Sequence, residues 1–282
     1  MQSTIKKVGF IGLGTMGKPM AMNIVKAGFD LIVYDIREQP LQELRECGAK
    51  VARSAKEAAE YGDLVAIAVL DDTQVEAALF GEAGVLAGIK PGTIVAIHST
   101  VLPKTLKRIV DRAIAQNVVI VDAPISGGES GAYQKKLCYM VGGPLDSVDR
   151  CREVFATSGA DIVRLGDVGT GTVAKIVNQI LVCINLLAMH EGVSLAERAG
   201  LDLRTLQRVL HKSAGQSYMA DHWFERIERV SRGPEALRHQ WEGFYKTLSV
   251  ALDYASELGV SLPGTALTQD HLAKIVGYHG DK

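Results

Sequence analysis

The stretch Lys7–Gly28, KVGFIGLGTMGKPMAMNIVKAG, decides how the N-terminal half of the chain folds. Lys7–Ile11 is a short apolar run of strand character, and Met16–Ala27 has the composition of a helix. Between them stands Gly12-Leu13-Gly14-Thr15-Met16-Gly17, a GxGxxG turn that opens the helix. In such a turn the first glycine permits the tight bend and the second lets the backbone approach a pyrophosphate. The third lets the helix pack on the strand, and the helix start then faces the phosphate charge. Asp35 ends the next apolar run, 18 residues after Gly17, where a carboxylate accepts from a ribose 2′-hydroxyl. That carboxylate repels a 2′-phosphate and so favours NAD, while Arg37 beside it keeps NADP open as the alternative.

Outward from this unit, β-branched runs alternate with helical segments. Strands are expected at Leu31–Tyr34, Leu64–Val69, Thr93–Ile97, Val118–Val121, Leu137–Val141 and Asp161–Arg164. Helices are expected at Gln39–Cys47, Ala55–Tyr61, Gln74–Phe80 and Pro103–Ala115. This alternation predicts an α/β, doubly wound, mostly parallel sheet with ligands at the carboxyl ends of its strands. After Leu165 it stops, and only helical patterns follow: a long one from Thr172, then Leu203–His211, Ser217–Ile227, Trp241–Leu258 and Thr268–Val276. Two domains are therefore expected, a Rossmann-type domain over residues 1–167 and an all-α domain over 168–282.

The second domain is built on Val168–Gly200, VGTGTVAKIVNQILVCINLLAMHEGVSLAERAG. A helix of roughly 28 residues would be about 42 Å long, more than one face of a small domain covers, so it is expected to cross between domains or subunits. Lys175, Asn178 and Gln179 stand at i, i+3 and i+4 and share one polar face in an otherwise apolar helix. A lysine so placed needs a partner, water or a ligand, and the simpler alternative is that it snorkels at a helix start. Polar residues from Lys175 to Glu191 argue against a membrane span.

Composition narrows the class. With 31 basic and 32 acidic residues, nothing points to nucleic acid or an anionic membrane surface. Cys47, Cys138, Cys151 and Cys183 are widely spaced with no CxxC pair, which suits reduced thiols in a cytoplasm and offers no metal site.

Two further strand ends face the expected cofactor. Thr100 closes His98-Ser99-Thr100 where nicotinamide would reach, though hydroxyls before Pro103 also serve as ordinary caps. In Asp122–Gly128, DAPISGG, Ser126 with the amides of Gly127 and Gly128 offers a nest for a carboxylate, or simply a glycine-rich connection. Lys246, in GFYKTLSVALDYA, reads on its own as a solvated helix face.

Taken together, FIGLGTMGKPMAMNIVKAG, DAPISGGESGA, GTGTVAKIVNQ and FYKTLSVAL resemble, in order, four motifs of the β-hydroxyacid dehydrogenase family. That group includes 3-hydroxyisobutyrate dehydrogenase and the tartronate and succinic semialdehyde reductases. The resemblance implies Lys175 as the catalytic residue, with Asn178 beside it at the substrate. It makes Ser126, Gly127 and Gly128 the carboxylate cradle, and Thr100 and Lys246 cofactor-side contacts alongside Gly12–Gly17 and Asp35. It implies NAD or NADP as cofactor, a small carboxylate-bearing substrate, a C-terminal domain like that of the larger 6-phosphogluconate dehydrogenases, and homodimers or homotetramers. The chain departs from the family pattern at His98, at Gln179, at Thr247 after Lys246, and at Lys135, where GAxxGxL places glycine. Two rival readings are an imine reductase-like enzyme and a non-catalytic NAD(P)-binding regulator of the same fold.

Overall fold

The structure, a computed structural model, describes residues 4–230 and 233–277. The last five residues of the expected second domain, 278–282, lie outside that range. The described chain divides into two compact units, Met1–Lys175 and Ile176–Lys282, with the division inside the helix Thr170–Arg198.

The N-terminal unit holds nine strands among the described residues: β1 (Lys7–Ile11), β2 (Asp30–Tyr34), β3 (Lys50–Val51), β4 (Leu64–Ile67), β5 (Ile94–Ile97), β6 (Val119–Asp122), β7 (Ile125–Ser126), β8 (Leu137–Gly142) and β9 (Gly159–Gly166). They form one sheet in the order β3-β2-β1-β4-β5-β6-β8-β7, with β9 on β8. The first six are parallel, β8 runs antiparallel to β6 and β7, and β9 is parallel to β8. Strand order reverses between β1 and β4, and a doubly wound sheet leaves a ligand crevice at that point.

Burial follows the two-residue period of a strand. Val8, Phe10, Leu31, Val33, Leu64 and Ala66 enter one core layer, which the helices Gly17–Lys26, Glu38–Glu46 and Leu145–Phe155 cover. Ile11, Ile32, Val65, Ile67, Val95 and Ile97 enter the other, under Ala55–Tyr61, Asp72–Leu79 and Pro103–Ile114. Because both faces are covered, these strands read in the sequence as continuous apolar runs.

Elements not expected from the sequence are the short β3, β7 and helices Val85–Gly88 and Gly128–Tyr133, and the longer helix Leu145–Phe155. Lys135 has φ 60°, the left-handed region, so the position where the family pattern has glycine keeps a glycine-like backbone here.

The C-terminal unit is helical. Cys183, Leu186, Met189 and Val193 of the long helix pack with Trp223, Leu248, Leu272 and Ile275. The segment expected as one helix, Ser217–Ile227, is two, Tyr218–Asp221 and Trp223–Val230, parted at His222. The helix expected from Trp241 starts seven residues earlier, at Pro234, a favoured first helical residue. By length and composition Thr170–Arg198 is apolar enough to cross a membrane, so its polar residues do not exclude a span by themselves. Its packing into this helical core accounts for part of the apolar run, and Val177, Leu181 and Leu195 remain exposed.

Candidate active site

The turn after β1 is built for close approach. Gly12 has φ 92°, and a Cβ there would stand 2.5 Å from the Ala68 carbonyl oxygen, so no other residue fits. A Cβ on Gly17 would collide with the Gly12 carbonyl oxygen, so the helix start sits directly on the turn. Gly14 is different: nothing lies within 4 Å of its missing Cβ, so the backbone there faces open space. The helix Gly17–Lys26 has no side-chain cap at Met16 and no acidic residue in its first turn. The Lys18 amide already turns back to the Gly14 carbonyl at 3.1 Å and Pro19 has no N–H, so an anion such as a dinucleotide pyrophosphate would meet the turn ahead of the helix and the positive end of its dipole. Leu13 is buried and donates its amide to Asp35 Oδ2 at 2.6 Å, which ties the turn to the end of β2, while Thr15 is exposed beside it.

Asp35 is 9% exposed and accepts four hydrogen bonds. Oδ1 takes the Arg37 amide at 2.9 Å and its Nε at 3.0 Å, while Oδ2 takes Leu13 and the Arg37 Nη2 at 3.1 Å. Burial alone would raise this carboxyl, but Arg37 and the two amides outweigh it and hold it below the ordinary value. A carboxylate has about four lone-pair positions, so a ribose hydroxyl gains an acceptor here only if the Arg37 side chain moves off. The residues fit NAD(P), with Asp35 and Arg37 placed to distinguish its two forms.

At the end of β5, His98 is fully enclosed by the rings of Phe10, Tyr139 and Phe155, with centroids at 6.4, 5.7 and 5.4 Å. Its Nδ1 donates to the Ala123 carbonyl at 2.8 Å, and burial pushes its pKa down to about 4. It is a neutral core residue. The Ser99 hydroxyl joins β5 to the end of β4 through Val69, donating to its carbonyl at 2.7 Å and accepting from its amide at 3.0 Å. Thr100 follows, half-buried, at the carboxyl edge of the sheet.

Asp122, at the end of β6, has a role that the sequence reading did not find. Its Oδ1 accepts the Gly169 amide and its Oδ2 the Thr172 amide, each at 2.6 Å, so a 1% exposed carboxyl holds the start of the long helix. Burial pushes that carboxyl up, against the amides that favour its ionised form. A Cβ on Gly171 would stand 2.9 Å from the Asp122 carbonyl oxygen, so glycine lets the helix press onto the strand. Lys175 lies one turn beyond Thr172 and is 9% exposed, a buried lysine rather than a snorkelling one. No spacing rule links Asp122 to a helix 47 residues later, and Asp122 could not have been found without the fold.

Ser126 is half-buried in β7, and Gly127 and Gly128 follow with φ 130° and 65°, backbone shapes that suit glycine. The N-terminal unit thus sets the GLGTMG turn, Asp35, Thr100, the Ser126–Gly128 bend and the anchor of Lys175 all after carboxyl ends of its strands. Asn178 and Lys246 belong to the C-terminal unit. Asn178 is half-buried one helical turn past Lys175, on the same helix face, with its amide 3.4 Å from Gln179 Oε1. Lys246 is half-buried on the helix Pro234–Glu257, and Thr247 after it returns its hydroxyl to the Gly243 carbonyl at 2.8 Å. The described residues hold no group of three or more His, Cys, Asp or Glu side chains arranged for a metal.

Residues 7–166 match the model of the NAD-binding domain of 6-phosphogluconate dehydrogenase. Residues 169–282 match that of the NAD-binding domain of NADP-dependent 3-hydroxyisobutyrate dehydrogenase. The mitochondrial 3-hydroxyisobutyrate dehydrogenase of Mus musculus is 33% identical over 93% of this chain and 76% of its own. The 2-(hydroxymethyl)glutarate dehydrogenase of Eubacterium barkeri is 33% identical over 95% and 88%. Among solved structures, the 3-hydroxyisobutyrate dehydrogenase of Mycobacterium tuberculosis with L-serine superposes with a TM-score of 0.83 at 28% identity, covering 99% of this chain and 96% of that one. An imine reductase from Pseudomonas sp. shares the fold at a TM-score of 0.65 and 20% identity, which bears on architecture alone. A glycine turn with open space over Gly14 between β1 and the first helix, and sequence likeness along both units, lead to one assignment: this NAD(P)-dependent dehydrogenase belongs to the β-hydroxyacid dehydrogenase family.

Proposed function

We propose that the chain interconverts a small β-hydroxyacid and its semialdehyde, with Lys175 as general acid and base and NAD as the preferred cofactor. The observation that carries this reading is a buried amine one turn past a helix start that Asp122 clamps to the sheet. When bound, NAD(P) takes up or returns the hydride at its nicotinamide. Ser126 and the Gly127 and Gly128 amides hold the substrate carboxylate, which fixes the carbinol carbon within reach of Lys175. During oxidation Lys175 takes the hydroxyl proton, and during reduction it delivers a proton to the forming alkoxide. Asn178 shares that helix face and orients the same oxygen. Asp35 receives the ribose hydroxyl, the Gly12–Gly17 turn receives the pyrophosphate over its open Gly14 face, and Thr100 and Lys246 complete the cofactor side.

The substrate class rests on relatives named for 3-hydroxyisobutyrate, 2-(hydroxymethyl)glutarate and L-serine. Absorbance of NADH at 340 nm, followed with these three compounds and with a cyclic imine, tests it. NADH formation with at least one hydroxyacid and no reduction of the imine is the expected result. Reduction of the imine alone would favour the imine reductase reading, and NADH binding without turnover of any compound would favour a regulatory protein.

We also place the protein in the cytoplasm and as a homodimer or homotetramer. Four free cysteines, two of them buried, support a reducing compartment.

A further inference from the structure

Strand β8 divides its side chains between two faces. Leu137, Tyr139 and Val141 are buried in the core, whereas Cys138 and Met140 face the other way and are half-buried. Cys138 stands directly across from Ser126 in the antiparallel β7–β8 register. Opposed residues in such a pair project from the same face with Cβ atoms about 4.5–5.5 Å apart. On its other flank, Cys138 is opposite Asp161 of β9. The start of the long helix crosses this strand, since a Cβ on Gly171 would collide with the Met140 carbonyl oxygen. The charge of Lys175 acts on the Cys138 thiol. Burial pushes that thiol up, Asp161 adds to the effect and Lys175 opposes it, so the group stays a neutral thiol near pH 7.

We propose that Cys138 is a specificity-determining residue: it forms the wall of the substrate site between the Ser126 cradle and Lys175, against which the substituent on the substrate α-carbon rests. The chemistry follows from the order of groups, and the inference rests on the hydroxyacid reading above. In a β-hydroxyacid the α-carbon joins the carboxylate to the carbinol carbon. With the carboxylate at Ser126–Gly128 and the hydroxyl at Lys175, the α-carbon spans the interval that Cys138 borders. A thiol there is small, uncharged and polarisable. It accepts hydrogen or a methyl-sized neutral substituent and leaves no room for a bulky one. A larger residue at 138 shortens the site, and a smaller one extends it.

The test uses the full-length enzyme and two substrates that differ only by the α-methyl group, 3-hydroxypropionate and 3-hydroxyisobutyrate. Cys138→Leu is expected to raise the KM for 3-hydroxyisobutyrate at least 10-fold, with a smaller rise for 3-hydroxypropionate and no change in NADH binding. Cys138→Ala, which introduces no bulk, is expected to favour 3-hydroxyisobutyrate or a larger α-substituent over 3-hydroxypropionate. Independently of turnover, 3-hydroxyisobutyrate with NADH is expected to slow iodoacetamide alkylation of Cys138 in wild type, with exposed Cys47 as the unprotected control. Turnover by wild type, with equal effects on both substrates and no protection, would overturn the proposal and leave the hydroxyacid reading intact. Protection without turnover would support the wall and reject that reading, and neither protection nor turnover would overturn both.

Discussion

Asp35 and Arg37 form a self-contained pair at the mouth of the cofactor turn. Arg37 occupies three of the four hydrogen bonds that Asp35 accepts, through its amide, Nε and Nη2. If Asp35 takes a ribose hydroxyl as proposed, the Arg37 side chain leaves it, and an arginine so released can pair with a 2′-phosphate. Arg37→Ala is therefore expected to leave NADH affinity equal or tighter and to weaken NADPH by about tenfold, the size of one charge-assisted hydrogen bond; titrating both by protein fluorescence measures the ratio. A weaker NADH affinity with unchanged NADPH affinity would contradict this. His98 carries a second residue-scale prediction. In the fold it is protonated only near pH 4, whereas in the unfolded chain it takes up its proton near 6.5, so acidification through this interval favours unfolding. The loss amounts to about 3 kcal/mol at pH 4 and is absent above pH 7. Asp122, whose carboxyl burial pushes up, works in the opposite sense, so the comparison to make is with His98→Gln. Urea midpoints at pH 7 and 4.5 are expected to fall further for wild type than for this variant.

At the scale of elements, the glycine turn separates stability from binding. Gly12→Ala puts a methyl group 2.5 Å from a carbonyl oxygen at a positive φ, and a loss of roughly 3 kcal/mol or more is expected by thermal or urea unfolding. Gly14→Ala meets nothing in the protein, so it is expected to leave stability within about 0.5 kcal/mol while filling the space that the pyrophosphate uses. Unfolding and NADH titration of the two variants then give opposite patterns, and equal loss of binding and stability in both would contradict the account. Elements differ in how far the sequence disclosed them. The buried strands were legible because both faces are covered, and so was the turn, whose glycines answer to a local steric need. The two-residue β7 and the helix Gly128–Tyr133 were not, because glycines and a hydroxyl carry no periodicity. Asp122 and Cys138 were silent for a related reason. Their partners stand on other elements, and only sheet register and the helix start bring those partners beside them.

For the whole molecule, Val177, Leu181 and Leu195 are 52%, 57% and 73% exposed and lie on one stripe of the long helix. Such a stripe on a helix this apolar supports the proposed homo-oligomer, because water would otherwise cover it. Sedimentation equilibrium is expected to return a dimer or tetramer for wild type, and a smaller species that keeps its circular dichroism for Leu181→Glu. A monomeric wild type would reject the proposed oligomer. The family, the fold and the cofactor class were legible from four motifs in order, and the substrate was not, since no motif names the side chains that would line its pocket. The role proposed for Lys175 as general acid and base is the central claim, and single-turnover kinetics of Lys175→Ala test it most directly. Hydride transfer slowed by about 10²-fold or more, with NADH affinity within twofold of wild type, is the predicted result; transfer at the wild-type rate would contradict it.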